Sequence, residues 1–91
     1  MGDVFLNIRE AQMVFRDMFY EKDSRRGLFK TFAWLVEEIG ELGEALLKGS
    51  KKDIEEEIAD VIAWTISIAN LVNVDVEDAL IEKYLKYRVE S

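Results

Sequence analysis

Residues 35–64 read LVEEIGELGEALLKGSKKDIEEEIADVIAW, and this stretch decides the fold. Apolar side chains recur in it at steps of three and four, which is the period of an amphipathic helix. The pattern breaks at Gly49, which suits the end of one helix, and Ser50 with Asp53 resembles the capping box that begins another. Because the connection is short, we expect two long helices that pack side by side in opposite directions.

The rest of the chain also predicts helices. Proline is absent, and no segment alternates cleanly between apolar and polar residues as a strand does. A first helix is expected from Asp3 to about Lys22. The segment KDSRRG, residues 22–27, should form a loop, because Asp, Ser and Gly favour turns. The second helix should run from about Leu28 to Lys48, and its apolar stripe should face the core; the stripe comprises Phe32, Leu35, Ile39, Leu42 and Leu46.

The third helix should reach Leu71 or Val72, where Asn73 suits its C-terminal cap. A fourth helix should begin near Asp75 and Asp78, because acidic residues favour the start of a helix. The fold class is therefore predicted to be all-α, a four-helix antiparallel bundle, with residues 1–91 forming a single domain.

Composition excludes several classes of function. The chain has 91 residues, 49% of them hydrophobic, and a formal net charge of −7, so a nucleic-acid partner is not expected. It has no cysteine and no histidine, which removes thiolate and imidazole ligands and the commonest general base. The N-terminus lacks the pattern of a signal peptide, and the longest apolar stretch, 58–72, is too short for a bilayer. We expect a cytoplasmic protein without a membrane partner.

Helical wheels place four carboxylates at the edges of the predicted buried faces. Glu38 and Glu41 share one row of the second helix. Glu57 falls within the apolar arc of the third helix, and Asp60 sits beside that arc. In an antiparallel pair of helices, all four could converge across one seam. Glu37, Glu44, Glu55 and Glu56 point more toward solvent, and a solvated face is the ordinary explanation for such runs.

A cluster of carboxylates beside a core needs compensation, because desolvation and like charges both raise carboxyl pKa values. Protonation, pairing with Lys or Arg, or a divalent cation could each supply it. Ligation by oxygen alone selects hard ions such as Mg²⁺, Mn²⁺ or Ca²⁺ and argues against zinc.

Two motifs carry a resemblance to a known family. EEIGE at 37–41 followed by EIAD at 57–60 resembles the EExxE…ExxD pattern of MazG-type nucleoside triphosphate pyrophosphohydrolases, and the similarity extends from about Asp23 to Lys83. The resemblance implies an all-α domain that uses Mg²⁺, or Mn²⁺, to hydrolyse a nucleotide between its α- and β-phosphates. The products would be a nucleoside monophosphate and pyrophosphate.

By position, the resemblance assigns the metal ligands to Glu38, Glu41, Glu57 and Asp60. Glu37 completes the first motif and could orient water or support a ligand. The family's C-terminal lysine and arginine fit Lys83 and Arg88, but Tyr87 stands where an asparagine is expected. Residues considered for substrate binding are Trp34, Trp64, Arg25, Arg26, Lys30, Lys83 and Arg88. Each cation among them has a surface alternative, and each tryptophan could simply belong to the core.

Two other functions stay open at this point: a helical oligomerisation or regulatory module without catalysis, and a phosphoribosyl-ATP pyrophosphohydrolase-like enzyme. The third helix is apolar on most sides, and a 91-residue chain can hardly cover it alone. We therefore expect oligomerisation to complete the bundle, as a homodimer or a dimer of dimers.

Overall fold

The computed structural model describes residues 6–86. Four helices follow one another: α1 at Ile8–Arg26, α2 at Leu28–Lys48, α3 at Lys51–Leu71 and α4 at Val76–Leu80, which continues as a π-helical turn at Ile81–Leu85. The described part of the chain contains no strand. The all-α prediction is confirmed.

The antiparallel hairpin of α2 and α3 is the centre of the structure. Gly49 ends α2 in the left-handed conformation, with a φ of 78°, which glycine adopts without steric cost. Ser50 caps α3, because its hydroxyl oxygen accepts a hydrogen bond from the Asp53 amide at 3.4 Å. Trp34 near the start of α2 stacks on Trp64 near the end of α3, as antiparallel helices require.

The loop predicted at residues 22–27 is wrong, because α1 continues to Arg26. Only Gly27 leaves the helical conformation, with a φ of 92°, and its N–H still donates to the Asp23 carbonyl. Arg26 Nη1 donates to Asp23 Oδ1 at 2.8 Å, which pairs the two opposite charges inside the last turn of α1. A turn-favouring composition was thus overridden by an ion pair three residues apart. The predicted start at Asp3 is also wrong over residues 6 and 7, because α1 begins at Ile8, where Asn7 Oδ1 caps the helix by accepting from the Glu10 amide at 2.8 Å. Residues 1–5 lie outside the described residues.

A buried amide joins α1 to α3 and α4. The side-chain amide nitrogen of Gln12 donates to Asn70 Oδ1 at 3.1 Å and to the Val74 carbonyl at 2.7 Å. Its oxygen accepts from the Val76 amide at 2.9 Å. Asn73 follows α3 with a φ of 58°, so the prediction that asparagine ends this helix is confirmed.

The start of α4 is also as predicted, with Asp75 Oδ1 accepting from the Asp78 amide at 2.8 Å. Arg9 of α1 pairs with three carboxylates around this cap, those of Asp75, Glu77 and Asp78. These contacts fix α4 against the N-terminal half of α1.

The face of α2 that packs inside one chain differs from the predicted apolar stripe. Leu35 is buried and Leu42 is half-buried, but Phe32, Ile39 and Leu46 are 53%, 50% and 58% exposed. The buried row instead comprises Thr31, Leu35 and Ala45, with Glu38 and Leu42 half-buried along it. The prediction that the whole stripe faces the chain's own core is therefore wrong for its three exposed members. The part of the α2 surface that α3 covers is shifted from the predicted stripe toward Glu38. The apolar arc that contains Phe32 and Ile39 is therefore left open.

Between residues 6 and 86, no single helix combines the length and apolarity needed to cross a bilayer; α3 and the helical segment after it meet those limits only as a pair bent by 104°.

Candidate metal centre

Three carboxylates meet at the edge of the α2–α3 seam. Glu38, Glu41 and Glu57 each offer one oxygen, and these oxygens all lie within 4.8 Å of one another. Glu38 and Glu41 are three residues apart on α2, so their side chains rise from the same face of the helix. Glu57 approaches from α3, where it is half-buried. The hairpin therefore brings together carboxylates that are 16 to 19 residues apart in the sequence.

The electrostatics of this cluster are strained in the absence of a cation. Burial, then the negative charges of Glu41 and Asp60 and the neighbouring Glu57 carboxyl, raise the pKa of Glu38 to about 7. Burial also raises the pKa of Glu57; a hydrogen bond with the Glu38 carboxyl acts in the opposite direction, and the charges of Glu41 and Asp60 add to the rise. The fold thus holds these carboxyl groups in a place where their charged forms are less favourable than in water.

Two carboxylate oxygens of the cluster make no hydrogen bond within the described part of the chain. Glu38 Oε2 and Glu57 Oε2 are buried and have no hydrogen-bond partner within residues 6–86. A buried acceptor that makes no hydrogen bond is costly, and a divalent cation satisfies such oxygens while neutralising their charge. The donor set consists of carboxylate oxygens, which hard ions such as Mg²⁺ and Mn²⁺ prefer. The residues present therefore fit this class of metal ion.

The other two acidic residues of the predicted site lie at its margin. Asp60 is exposed and is not one of the three clustered carboxylates, although its charge helps to raise the pKa of Glu38. Glu37 is exposed on α2. Glu44, expected to face solvent, pairs with Lys48 at 2.9 Å.

The two tryptophans form an aromatic wall beside the carboxylates. Trp34 precedes Glu38 by one helical turn, and Trp64 follows Asp60 by one turn. Their rings stack with centroids 6.1 Å apart and planes inclined by 13°. Trp34 is 40% exposed, so this part of the wall can be reached from solvent.

The predicted substrate-binding cations have different surroundings. Arg25 is on the surface and pairs with Glu21. Arg26 is nearly buried, pairs with Asp23 and lies over the Trp64 ring, with its guanidinium carbon 4.8 Å from the ring centroid. Two other cations do not join this group, because Lys30 is exposed and Lys83 lies over the Tyr84 ring. Arg88 and Tyr87 lie outside the described residues.

Asp23 is the residue that sequence reasoning missed. It was assigned to a loop, but it is only 3% exposed, and its Oδ2 has no hydrogen-bond partner in the described range 6–86. Next to it, Thr31 is fully buried and donates its hydroxyl to the Gly27 carbonyl at 2.8 Å. The sequence signal for this residue was its spacing: Asp23 lies three positions before Arg26, and Arg26 is followed directly by Gly27.

The raised pKa of Glu38 predicts a pH dependence of stability without metal. Between pH 4.5 and about 7, the folded protein holds a proton on Glu38 that the unfolded chain has released. The free energy of unfolding should therefore fall as pH rises through this window, and this contribution should level off above it. Thermal melts in chelator across the window measure the fall.

Glu38→Gln is the matched variant for this prediction, because it removes the titrating group and keeps its shape. The fall between pH 4.5 and 7 should be shallower in the variant than in the original protein. Equal slopes in the two proteins would contradict the assignment of the titration to Glu38.

The comparison with known proteins agrees with this geometry. The family model for the MazG nucleotide pyrophosphohydrolase domain matches residues 27–89, which include all three clustered carboxylates and both tryptophans. No curated protein matches the chain.

Proposed function

The chain belongs to the MazG nucleotide pyrophosphohydrolase family, and on that premise we propose that it hydrolyses a nucleoside or deoxynucleoside triphosphate between the α- and β-phosphates. The products are the nucleoside monophosphate and pyrophosphate. The observation that carries the proposal is the convergence of three carboxylates, two of which have a buried oxygen with no hydrogen-bond partner among residues 6–86. Among the functions considered, hydrolysis is the one that uses these carboxylates, because it needs a divalent cation held next to the phosphates.

In this proposal, Glu38, Glu41 and Glu57 hold Mg²⁺ or Mn²⁺, with Asp60 at the edge of the same site. The bound ion supplies charge neutralisation of the phosphates and a lower pKa for a coordinated water. The oxygens of Glu38, Glu41 and Glu57 already lie within 4.8 Å of one another without an ion. That preorganisation reduces the ordering that binding would otherwise require. Glu37 and Asp60, both exposed, are available to contact water or substrate at the margin.

The stacked tryptophans form the nucleotide side of the proposed site. A planar ring next to an indole gains contact area and stacking energy. Trp34 and Trp64 are each one turn from an acidic residue of the site. One substrate molecule could therefore contact the aromatic wall and the carboxylate cluster at the same time. Arg25 is a poor phosphate ligand in this arrangement, because it is an exposed partner of Glu21.

We also propose that the protein assembles as a homodimer or a dimer of dimers. On α2, an arc of apolar residues is between 49% and 90% exposed; it comprises Phe29, Phe32, Val36, Ile39, Leu46 and Leu47. On α3, Ile58 and Ile62 are 44% and 53% exposed. The α2 arc lies on the side of the buried row opposite to Trp34 and Glu41, so a second copy could cover it without blocking the carboxylates.

One assay tests the reaction. Purified protein is incubated with a panel of ribo- and deoxynucleoside triphosphates, with Mg²⁺ or with chelator, and both pyrophosphate and phosphate are measured. We expect pyrophosphate from at least one nucleotide, and only with the metal. Phosphate as the product, or no metal-dependent release from any nucleotide, would overturn the proposal. The cytoplasmic location stays a prediction from the sequence.

A further inference from the structure

A cavity lies where α1 packs on α3. Its volume is about 280 Å³, and three aromatic side chains, those of Phe15, Phe19 and Trp64, form much of its wall. Phe15 and Phe19 meet edge to face with centroids 5.8 Å apart. Pockets for whole drug-sized ligands hold roughly 300–1,000 Å³, so this cavity suits one planar ring system rather than a complete nucleotide.

Asp23 lines the same cavity and is its chemically unusual member. Its Oδ1 accepts a hydrogen bond from Arg26 Nη1 at 2.8 Å. Its Oδ2 is buried and finds no hydrogen-bond partner among the described residues. A carboxylate oxygen left in this state loses its hydration without compensation, so a ligand that donates an N–H to it would be strongly favoured. Because Arg26 already donates to Oδ1, Asp23 Oδ2 is the oxygen of this carboxylate that can accept a hydrogen bond from a ligand.

The cavity continues the face of α3 that carries the metal centre. Glu57, Asp60, Trp64 and Ser67 follow one another at steps of three, four and three, so they share one side of the helix. Ala63 and Ser67, which both line the cavity, lie about 4.5 Å and about 10 Å beyond Asp60 along the axis, at a rise of about 1.5 Å per residue. Phosphates at the carboxylates and a ring in the cavity can therefore belong to one molecule.

We propose that this cavity holds the base of the nucleotide and that Asp23 Oδ2 accepts a hydrogen bond from an exocyclic amino group. The inference rests on the proposed function. Cytosine and adenine carry an amino group where uracil and hypoxanthine carry a carbonyl oxygen, and a carbonyl oxygen would face the carboxylate without a proton between them. Asp23 thereby selects amino bases over their oxo counterparts.

The test uses substrate pairs that differ in this group and, with it, in whether the adjacent ring nitrogen carries a proton: dCTP with dUTP, and dATP with dITP. Pyrophosphate release should give kcat/KM values that favour the amino member of at least one pair by roughly tenfold to a hundredfold. In Asp23→Asn, Arg26 still needs an acceptor, so the amide oxygen should turn to it and the NH₂ group should face the base. The preference should then reverse toward the oxo member.

Two further variants keep the result interpretable if Asp23→Asn folds poorly. The double variant Asp23→Asn with Arg26→Met removes both charges, so no buried charge is left unpaired, and its preference should relax toward unity. Asp17→Asn makes the same chemical change at an exposed position of α1 and should keep the original preference. An absent preference in the original protein, or one that survives the Asp23 substitutions, would overturn the inference.

A binding measurement separates this inference from the proposed reaction. Deoxycytidine and deoxyuridine, which carry no phosphate, are titrated against the protein while tryptophan fluorescence is followed. If no nucleotide releases pyrophosphate but deoxycytidine binds more tightly in an Asp23-dependent way, the base site stands and the reaction fails. If pyrophosphate is released without discrimination in either assay, the reaction stands and the base site fails. Loss of both signals overturns both.

Discussion

Replacing Glu41 by Gln should lower the rate of pyrophosphate release by roughly a thousandfold or more. The metal is expected to contribute several kcal/mol to transition-state stabilisation, and about 1.4 kcal/mol corresponds to a factor of ten. Glu41 is exposed, so the change removes a ligand charge without opening a hole in the core. The rate is measured with saturating nucleotide and Mg²⁺, and helical content is checked by circular dichroism.

Glu55→Gln is the matched control, because it makes the same change at an exposed position of α3 that contributes nothing to the three-carboxylate cluster. It should leave the rate within about twofold, as surface substitutions usually do. Calorimetry should in parallel show weaker Mn²⁺ binding for Glu41→Gln than for the control. An unchanged rate in Glu41→Gln would remove this residue from the proposed site.

Placing a charge on the open face of α2 should dissociate the proposed dimer. Ile39 is half exposed in one chain and lies in the middle of the uncovered apolar arc. Ile39→Asp would bury an unpaired carboxylate at the interface, at a cost of several kcal/mol. For a domain of this size, the midpoint of thermal unfolding should fall by roughly 10 °C or more. Light scattering across a range of protein concentrations measures the assembly directly.

Ala33→Asp introduces the same charge at an exposed position of α2 outside the open apolar arc. This variant should keep the mass and the melting temperature of the original protein. The melting temperature of the original protein should also rise with concentration, as expected when folding and association are coupled. A folded monomer of 10.6 kDa at micromolar concentration would contradict the proposed dimer.

Local signals in the sequence were sufficient for the helices and most of their ends. The Gly49 and Asn73 positions, the Ser50 cap and the Asp75 cap were all predicted correctly, because each depends on the backbone conformation of a few adjacent residues. The convergence of Glu38, Glu41 and Glu57 was also predictable. Helical periodicity places each on a known face, and a two-residue connection leaves α2 and α3 few ways to pack.

Contacts between distant segments had to come from the tertiary structure. Composition predicted a loop around Asp23, but the ion pair with Arg26 and the packing of Arg26 on Trp64 extend α1 instead. Gln12 gave no sign of its role, because its partners Asn70 and Val74 are about 60 residues away. Periodicity likewise identified an apolar stripe on α2 but not which edge of it α3 would cover.

The sequence by itself therefore determined the helical architecture and the acidic seam, because both follow from local propensity and a short connection. The tertiary structure decided the extent of burial along that seam, the raised pKa of Glu38 and the cavity that Asp23 lines. These properties depend on the distances between helices and on the water excluded there, and no single helix contains that information.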